Sequence, residues 1–155
     1  MIKYLDIENA AERISGNAII TPLLESSLLN RELNGRVLFK AEPLQVTGSF
    51  KFRGAFNKLS ILQKTINLRG VVAYSSGNHA QGVAAASSHF NVPSVIVMPI
   101  DAPEIKIQNT RALGAEVILY DRYKESREKI GKQLAEERKL NLVKPYDDYD
   151  IIAGQ

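Results

Sequence analysis

Two short segments hold residues whose types and spacing could do chemistry. In Thr47-Gly48-Ser49-Phe50-Lys51-Phe52-Arg53-Gly54 a lysine follows a sharp turn directly and stands between two phenylalanines. If a helix opens at Ser49, Lys51 lies in its first turn, where the helix dipole and an apolar setting both disfavour the ammonium form. An amine kept neutral near pH 7 can form a Schiff base with a carbonyl compound. A surface lysine laying its stem along Phe50 fits the same spacing. The second segment is Ser75-Ser76-Gly77-Asn78-His79-Ala80-Gln81-Gly82, between an apolar run and a helical pattern. In an open α/β sheet the loop beyond a strand's carboxyl end is where ligands bind, and free N–H groups at the next helix start suit an anion. Ser76, Asn78 and His79 add side-chain donors, so a carboxylate or a phosphate fits. A plain capping loop, with Ser75 or Ser76 as N-cap, fits equally well.

Other chemistries lack their residues. No two glycines are spaced as G-x-G, and neither a dinucleotide fingerprint nor a P-loop is present. His79 and His89 lack H-E-x-x-H spacing, so no metal site is expected. Asp147 and Asp148 sit beside Tyr149 in what reads as a solvated polar turn, and His89 reads as a helix-end cation favoured by the dipole.

The elements that must position these segments follow from pattern. The chain has 155 residues, 45% apolar and 24% charged, a globular composition of one-domain length. A self-contained fold of this size buries roughly 70% of its extended surface. Twenty basic residues against seventeen acidic ones give +3 without any basic run, so nucleic acid is not an expected partner. The absence of cysteine removes disulfides, thiolate metal sites and a cysteine nucleophile, and it suits the cytoplasm, the expected location. The apolar stretch around Val95 to Met98 is too short to span a bilayer, and the first eight residues turn acidic where a signal peptide needs an apolar block. No membrane association is expected.

A helix is predicted from an Asp6 N-cap to Gly16, and a second from a Ser26 cap to Asn34-Gly35. A strand is predicted over 36–40, an irregular segment over 41–48 enforced by Pro43 and Gly48, and a helix from Ser49. Beyond Asn67 strands alternate with helices: strands over 71–74, 94–98, 116–120 and 141–144, helices over 78–89, 103–113 and about 123–139. That alternation predicts an α/β fold with a parallel sheet and right-handed crossovers. Glu125 with Lys129 and Glu128 with Lys132 read as exposed pairs four apart on the last helix. The ending Ile151-Ile152-Ala153-Gly154-Gln155 offers neither a polar tail nor a capped helix, and reads as interrupted.

Together the two chemical segments resemble the fold type II pyridoxal-phosphate enzymes, in their threonine/serine dehydratase and serine racemase branch. Met98-Pro99 with Ala102-Pro103 and Lys106, Gly114-Ala115-Glu116-Val117, and Ile152-Ala153-Gly154-Gln155 match the same branch in order and spacing. The resemblance implies a three-layer α/β fold in which residues 1–67 begin a large cofactor domain, 68–146 form a small α/β domain, and 147–155 start the return to the large one. It implies pyridoxal 5'-phosphate as cofactor, with Lys51 as the Schiff-base lysine and later the base for the substrate α-proton. Phe50 would pack beside the ring and Asn78 would bond its hydroxyl oxygen. Ser75, Ser76, Gly77, Asn78 and His79 would hold the substrate carboxylate, and Ser76 could act as acid/base on the opposite face. The implied reaction is β-elimination of L-threonine or L-serine to a 2-keto acid and ammonia, with racemisation as the alternative.

Members of that family are longer than this chain, so the resemblance also implies an amino-terminal portion. Their phosphate-gripping loop, the residue facing the pyridine nitrogen and the acidic cation site fall beyond Gln155. The faces of 36–40 and of the helix from Ser49 would then lie uncovered, a setting for homo-oligomers or a complementing carboxy-terminal half. A catalytically inactive interaction module, and a small anion-binding protein with Lys51 merely basic, are the readings from other classes.

Overall fold

The structure, a computed structural model, describes all 155 residues. Helix α1 (Tyr4–Ile14) leads to strand β1 (Leu23–Glu25), helix α2 (Ser27–Glu32) and strand β2 (Leu38–Lys40). Two single-turn 3-10 segments, Glu42–Leu44 and Val46–Gly48, precede helix α3 (Lys51–Thr65). Then come β3 (Val71–Tyr74), α4 (Asn78–His89), β4 (Ser94–Pro99), α5 (Glu104–Ala112), β5 (Glu116–Tyr120), α6 (Arg127–Arg138), β6 (Asn141–Leu142) and α7 (Tyr149–Gly154).

Strands β3 to β6 form one parallel sheet in the order β5-β4-β3-β6. Its side chains divide with period two, as a pleated strand requires. Val71, Ala73, Ile96 and Met98 join a core with Phe52, Phe56, Val83, Ala84 and Ile107 from α3, α4 and α5. Val72, Tyr74, Val95 and Val97 face the other way, into a smaller core with Leu134 of α6. The result is the expected three-layer α/β arrangement, with helices on both faces of a buried parallel sheet. Val71, Val72, Ile96, Val97 and Met98 are fully buried, and each contributes about 1.5–3 kcal/mol relative to leaving it exposed. Strands β1 and β2 form a separate antiparallel pair whose six residues are all exposed.

Helix α3 packs against both α4 and α7, through glycines. A Cβ on Gly54 would meet the Ile151 carbonyl oxygen at 2.6 Å, and one on Gly154 would meet Asn57 Cβ at 2.6 Å, so α3 and α7 approach as backbones. Buried Asn57 ties the contact by donating to the Asp150 carbonyl and accepting from Arg13, and Lys58 pairs with both Asp148 and Asp150. The expectation of an uncovered α3 is therefore corrected: only the β1–β2 pair matches it.

Several boundaries are corrected too. Helix α1 starts at Tyr4, with the Asp6 carboxylate accepting the Lys3 N–H from its first turn rather than capping from outside. Helix α6 starts at Arg127, because Asp121 accepts the Tyr123 N–H and closes a turn before Ser126 caps the helix. Of its predicted pairs neither forms, and Glu128 takes Arg127 instead. Strand β1 has no counterpart among the expected elements, and β6 is two residues shorter than the run that predicts it. Asp148 is no solvated loop residue: it caps α7 and accepts from the Asp150 and Ile151 N–H groups, so the end of the chain is a capped helix. His89 packs its ring against Phe56 and Phe90 at 4.9 Å. No helix is long and apolar enough to cross a membrane.

Candidate active site

Lys51 is the first residue of α3, and the turn before it is strained. Thr47 has φ 62° and Gly48 φ 69°; the left-handed region suits glycine but costs a β-branched residue on the order of 1–3 kcal/mol. Gly48 N–H donates to the Gln45 carbonyl at 2.7 Å, which holds the reversal. The buried hydroxyls of Thr47 and Ser49 have no hydrogen-bond partner. Helix α3 then begins without a side-chain cap and without an acidic residue in its first turn. Lys51 is half-buried, and that burial holds its amine below the ordinary lysine range. Its Nζ donates to the Pro145 carbonyl at 2.8 Å and lies 5.1 Å from the centroid of the partly exposed Phe50 ring.

The second segment leaves the carboxyl end of β3. Ser75 N–H extends the ladder to the Val97 carbonyl, Gly77 N–H turns back to Ser75 Oγ at 3.2 Å, and α4 begins at Asn78. Like α3, α4 has neither a side-chain cap nor a first-turn acid. Gln81 N–H bonds the Gly77 carbonyl, whereas the N–H groups of Asn78, His79 and Ala80 have no acceptor within the protein. Ser76 and Asn78 are exposed. His79 is only 3% exposed, and its ring turns inward: Nε2 lies 3.1 Å from the Val143 carbonyl and Nδ1 is buried without a partner. Since a carbonyl only accepts, the proton is on Nε2. Burial lowers the ring's pKa to about 4, the Val143 bond opposes this, and nearby Lys51 adds to it. His79 therefore offers the loop its backbone N–H while the ring braces the interior.

The sheet order brings the two segments together. After β3 the chain runs toward β4, whereas β6 lies on the other flank of β3 and leads to α7. The connections diverge there, at the kind of topological switch point where open α/β sheets form their ligand crevice. Helix α3 contacts the helices on both sides of it, α4 and α7. A Cβ on Gly82 of α4 would sit 3.0 Å from Lys51 C and 3.1 Å from Phe52 N, so glycine is what lets the lysine turn reach α4. Residues 143–145 close the crevice, with the Val143 carbonyl on His79 and the Pro145 carbonyl on Lys51. Sequence reasoning misses this strap because 141–144 reads as a strand; Pro145, unable to donate in a ladder, is the available signal.

Comparison with known proteins shows the family. The profile described as "Pyridoxal-phosphate dependent enzyme" matches residues 14–155. The chain belongs to the pyridoxal-phosphate-dependent enzyme family. Among curated relatives of this family, it is 51% identical over 152 residues to L-threo-3-hydroxyaspartate ammonia-lyase of Pseudomonas sp, covering 98% of the chain and 48% of that protein. It is 46% identical over 152 residues to serine racemase of Schizosaccharomyces pombe, covering 98% of the chain and 47% of that protein. Among solved structures, the threonine deaminase of T.th. superposes with a TM-score of 0.86 at 45% identity, over 99% of the chain and 48% of that one. The chain spans about half the length of the relatives it matches.

Membership in the family implies pyridoxal 5'-phosphate, and the residues at the crevice fit such a group. The two orphaned hydroxyls of Thr47 and Ser49, the uncapped start of α4 and a lysine shifted toward its neutral form are what an aldehyde cofactor and an anionic substrate would use.

Proposed function

We propose that this chain carries the lysine and the substrate loop of a pyridoxal-phosphate-dependent ammonia-lyase that eliminates the β-hydroxyl of L-threonine or L-serine, giving a 2-keto acid and ammonia. The observation behind this reading is the convergence of Lys51 and the 75–79 loop on one crevice, each hydrogen-bonded to the 143–145 strap. Residues 1–67 would belong to a large cofactor domain, 68–146 to a small domain, and 147–155 to the return between them.

The cofactor, when bound, supplies the electron sink that makes the α-proton acidic. Lys51 would hold the cofactor's aldehyde and would serve as the nearby base for the substrate α-proton. Its lowered pKa favours that role. The Pro145 carbonyl keeps the amine oriented into the crevice. Phe50 would cover the cofactor ring, Asn78 would bond its hydroxyl oxygen, and Ser75, Ser76, Gly77 and the N–H groups of Asn78 and His79 would hold the substrate carboxylate. One observation favours a second activity: the exposed Ser76 hydroxyl donates to no protein group and is free to exchange a proton on the opposite face, which would give racemisation. Other β-hydroxy amino acids, 3-hydroxyaspartate among them, present the same leaving group.

The full-length protein loaded with pyridoxal phosphate should release keto acid from L-threonine or L-serine. Ser76→Ala should suppress formation of the D-amino acid more than keto-acid release. A loaded protein that neither eliminates nor racemises would overturn the reading.

A further inference from the structure

We propose that Lys106 is a substrate-binding residue whose ammonium neutralises the amino acid's α-carboxylate at the 75–79 loop; this rests on the reading above and adds to it the source of charge at that site.

Lys106 stands in the first turn of α5, the helix that follows β4, the immediate neighbour of β3. Its backbone is fixed: its N–H donates to the Pro103 carbonyl at 2.8 Å, and its carbonyl accepts from the fully buried Thr110 hydroxyl at 2.7 Å. From that base the side chain crosses Gly77. A Cβ placed on Gly77 would lie 2.8 Å from Lys106 Nζ, 3.3 Å from its Cδ and 3.6 Å from its Cε. The glycine leaves the room in which the lysine lies against the loop.

No counter-charge explains that position. Lys40, Lys51 and Lys58 donate hydrogen bonds to protein oxygens, whereas half-buried Lys106 makes neither a hydrogen bond nor a salt bridge with its ammonium. The acids nearest in sequence are engaged: Glu104 accepts from Gln108, and Asp101 pairs with Arg122. A cation in the first turn of a helix opposes the helix dipole. Lys106 does so on its own helix while also lying at Gly77, the residue that precedes the first turn of α4. Three N–H groups without acceptors follow Gly77 directly, in the first turn of α4. A partly desolvated cation beside unsatisfied donors is an arrangement that an oxyanion relieves. The oxyanion every amino-acid substrate brings is its α-carboxylate.

The test uses the full-length protein loaded with pyridoxal phosphate, as wild type, Lys106→Met and Lys106→Arg. Substrate affinity is read from the cofactor's absorbance during titration with L-serine and L-threonine, alongside KM and kcat, with an amino acid bearing a second carboxylate as a further probe. Lys106→Met should raise Kd and KM by roughly tenfold to a hundredfold on all substrates, with cofactor affinity unchanged, and Lys106→Arg should recover most of the loss. Three results would overturn the proposal: unchanged substrate affinity, weakening confined to the dicarboxylic probe, or weakening of cofactor binding in its place. Wild-type protein that takes up no cofactor at Lys51 would instead sink the underlying reading.

Discussion

Two pairs of helices in this molecule start differently. Helix α6 begins on Ser126, whose hydroxyl accepts the Lys129 N–H, with Glu128 in the first turn; α7 begins on Asp148, which accepts two N–H groups, with Asp150 following. Helices α3 and α4 have no side-chain cap and no acid, and α3 even opens with a lysine. Helices α6 and α7 satisfy orphan donors from within the chain, while α3 and α4 leave theirs open at the two site segments, α3 behind a strained Thr47-Gly48 turn. Local rules are suspended where a ligand is to complete them.

The comparison can be broken most sharply at Lys51. Lys51→Ala should lower turnover of the loaded protein about 10²- to 10⁴-fold, the usual worth of a positioned proton-transfer group, without changing the midpoint of urea unfolding. Gly82→Ala should strain the contact between the two uncapped helices, α4 and α3. The added methyl meets backbone atoms of Lys51 and Phe52 at 3.0–3.1 Å and should cost about 1–3 kcal/mol in urea unfolding together with weaker cofactor uptake.

The pH dependence of folding adds a graded effect. His79 has its folded pKa lowered from 6.5 to about 4, so the unfolded chain takes up the proton first. Stability from this residue is complete above about pH 6.5 and is lost as pH falls toward 4. In His79→Gln the slope of unfolding free energy between those values should flatten. Glu42 acts lower: its bidentate pair with Arg53 holds its carboxyl at about 2, so its contribution is present above about 4.5 and drains away as pH falls toward 2. The smallest effect is expected at a scaffold cap. Ser126→Ala should cost about 1 kcal/mol in thermal or urea unfolding and leave cofactor uptake untouched.

What the sequence revealed divides along similar lines. Strands 71–74 and 116–120 and helix 78–89 were legible to the residue, because dense apolar runs and a 3.6-residue pattern leave one physical solution. Exposed elements were not: β1 spans three residues, all exposed and too short for a period to emerge, and the Asx turn at Asp121 looks like helix until its bond to Tyr123 is seen. At the site, residue types marked Lys51 and the 75–79 loop. Their meeting depends on strand order, on the glycine at 82 and on two carbonyls at 143 and 145, and backbone carbonyls leave no mark in a sequence. The inward turn of the His79 ring was hidden for the same reason, since its partner is the main chain.

The central claim is that Lys51, among all the lysines, is the amine presented to an aldehyde cofactor. It is tested most directly by incubating the protein with pyridoxal phosphate, fixing the product with borohydride and mapping the added mass by peptide sequencing. The account predicts a single modification, at Lys51; label spread over exposed lysines, with Lys51 unmodified, would contradict it.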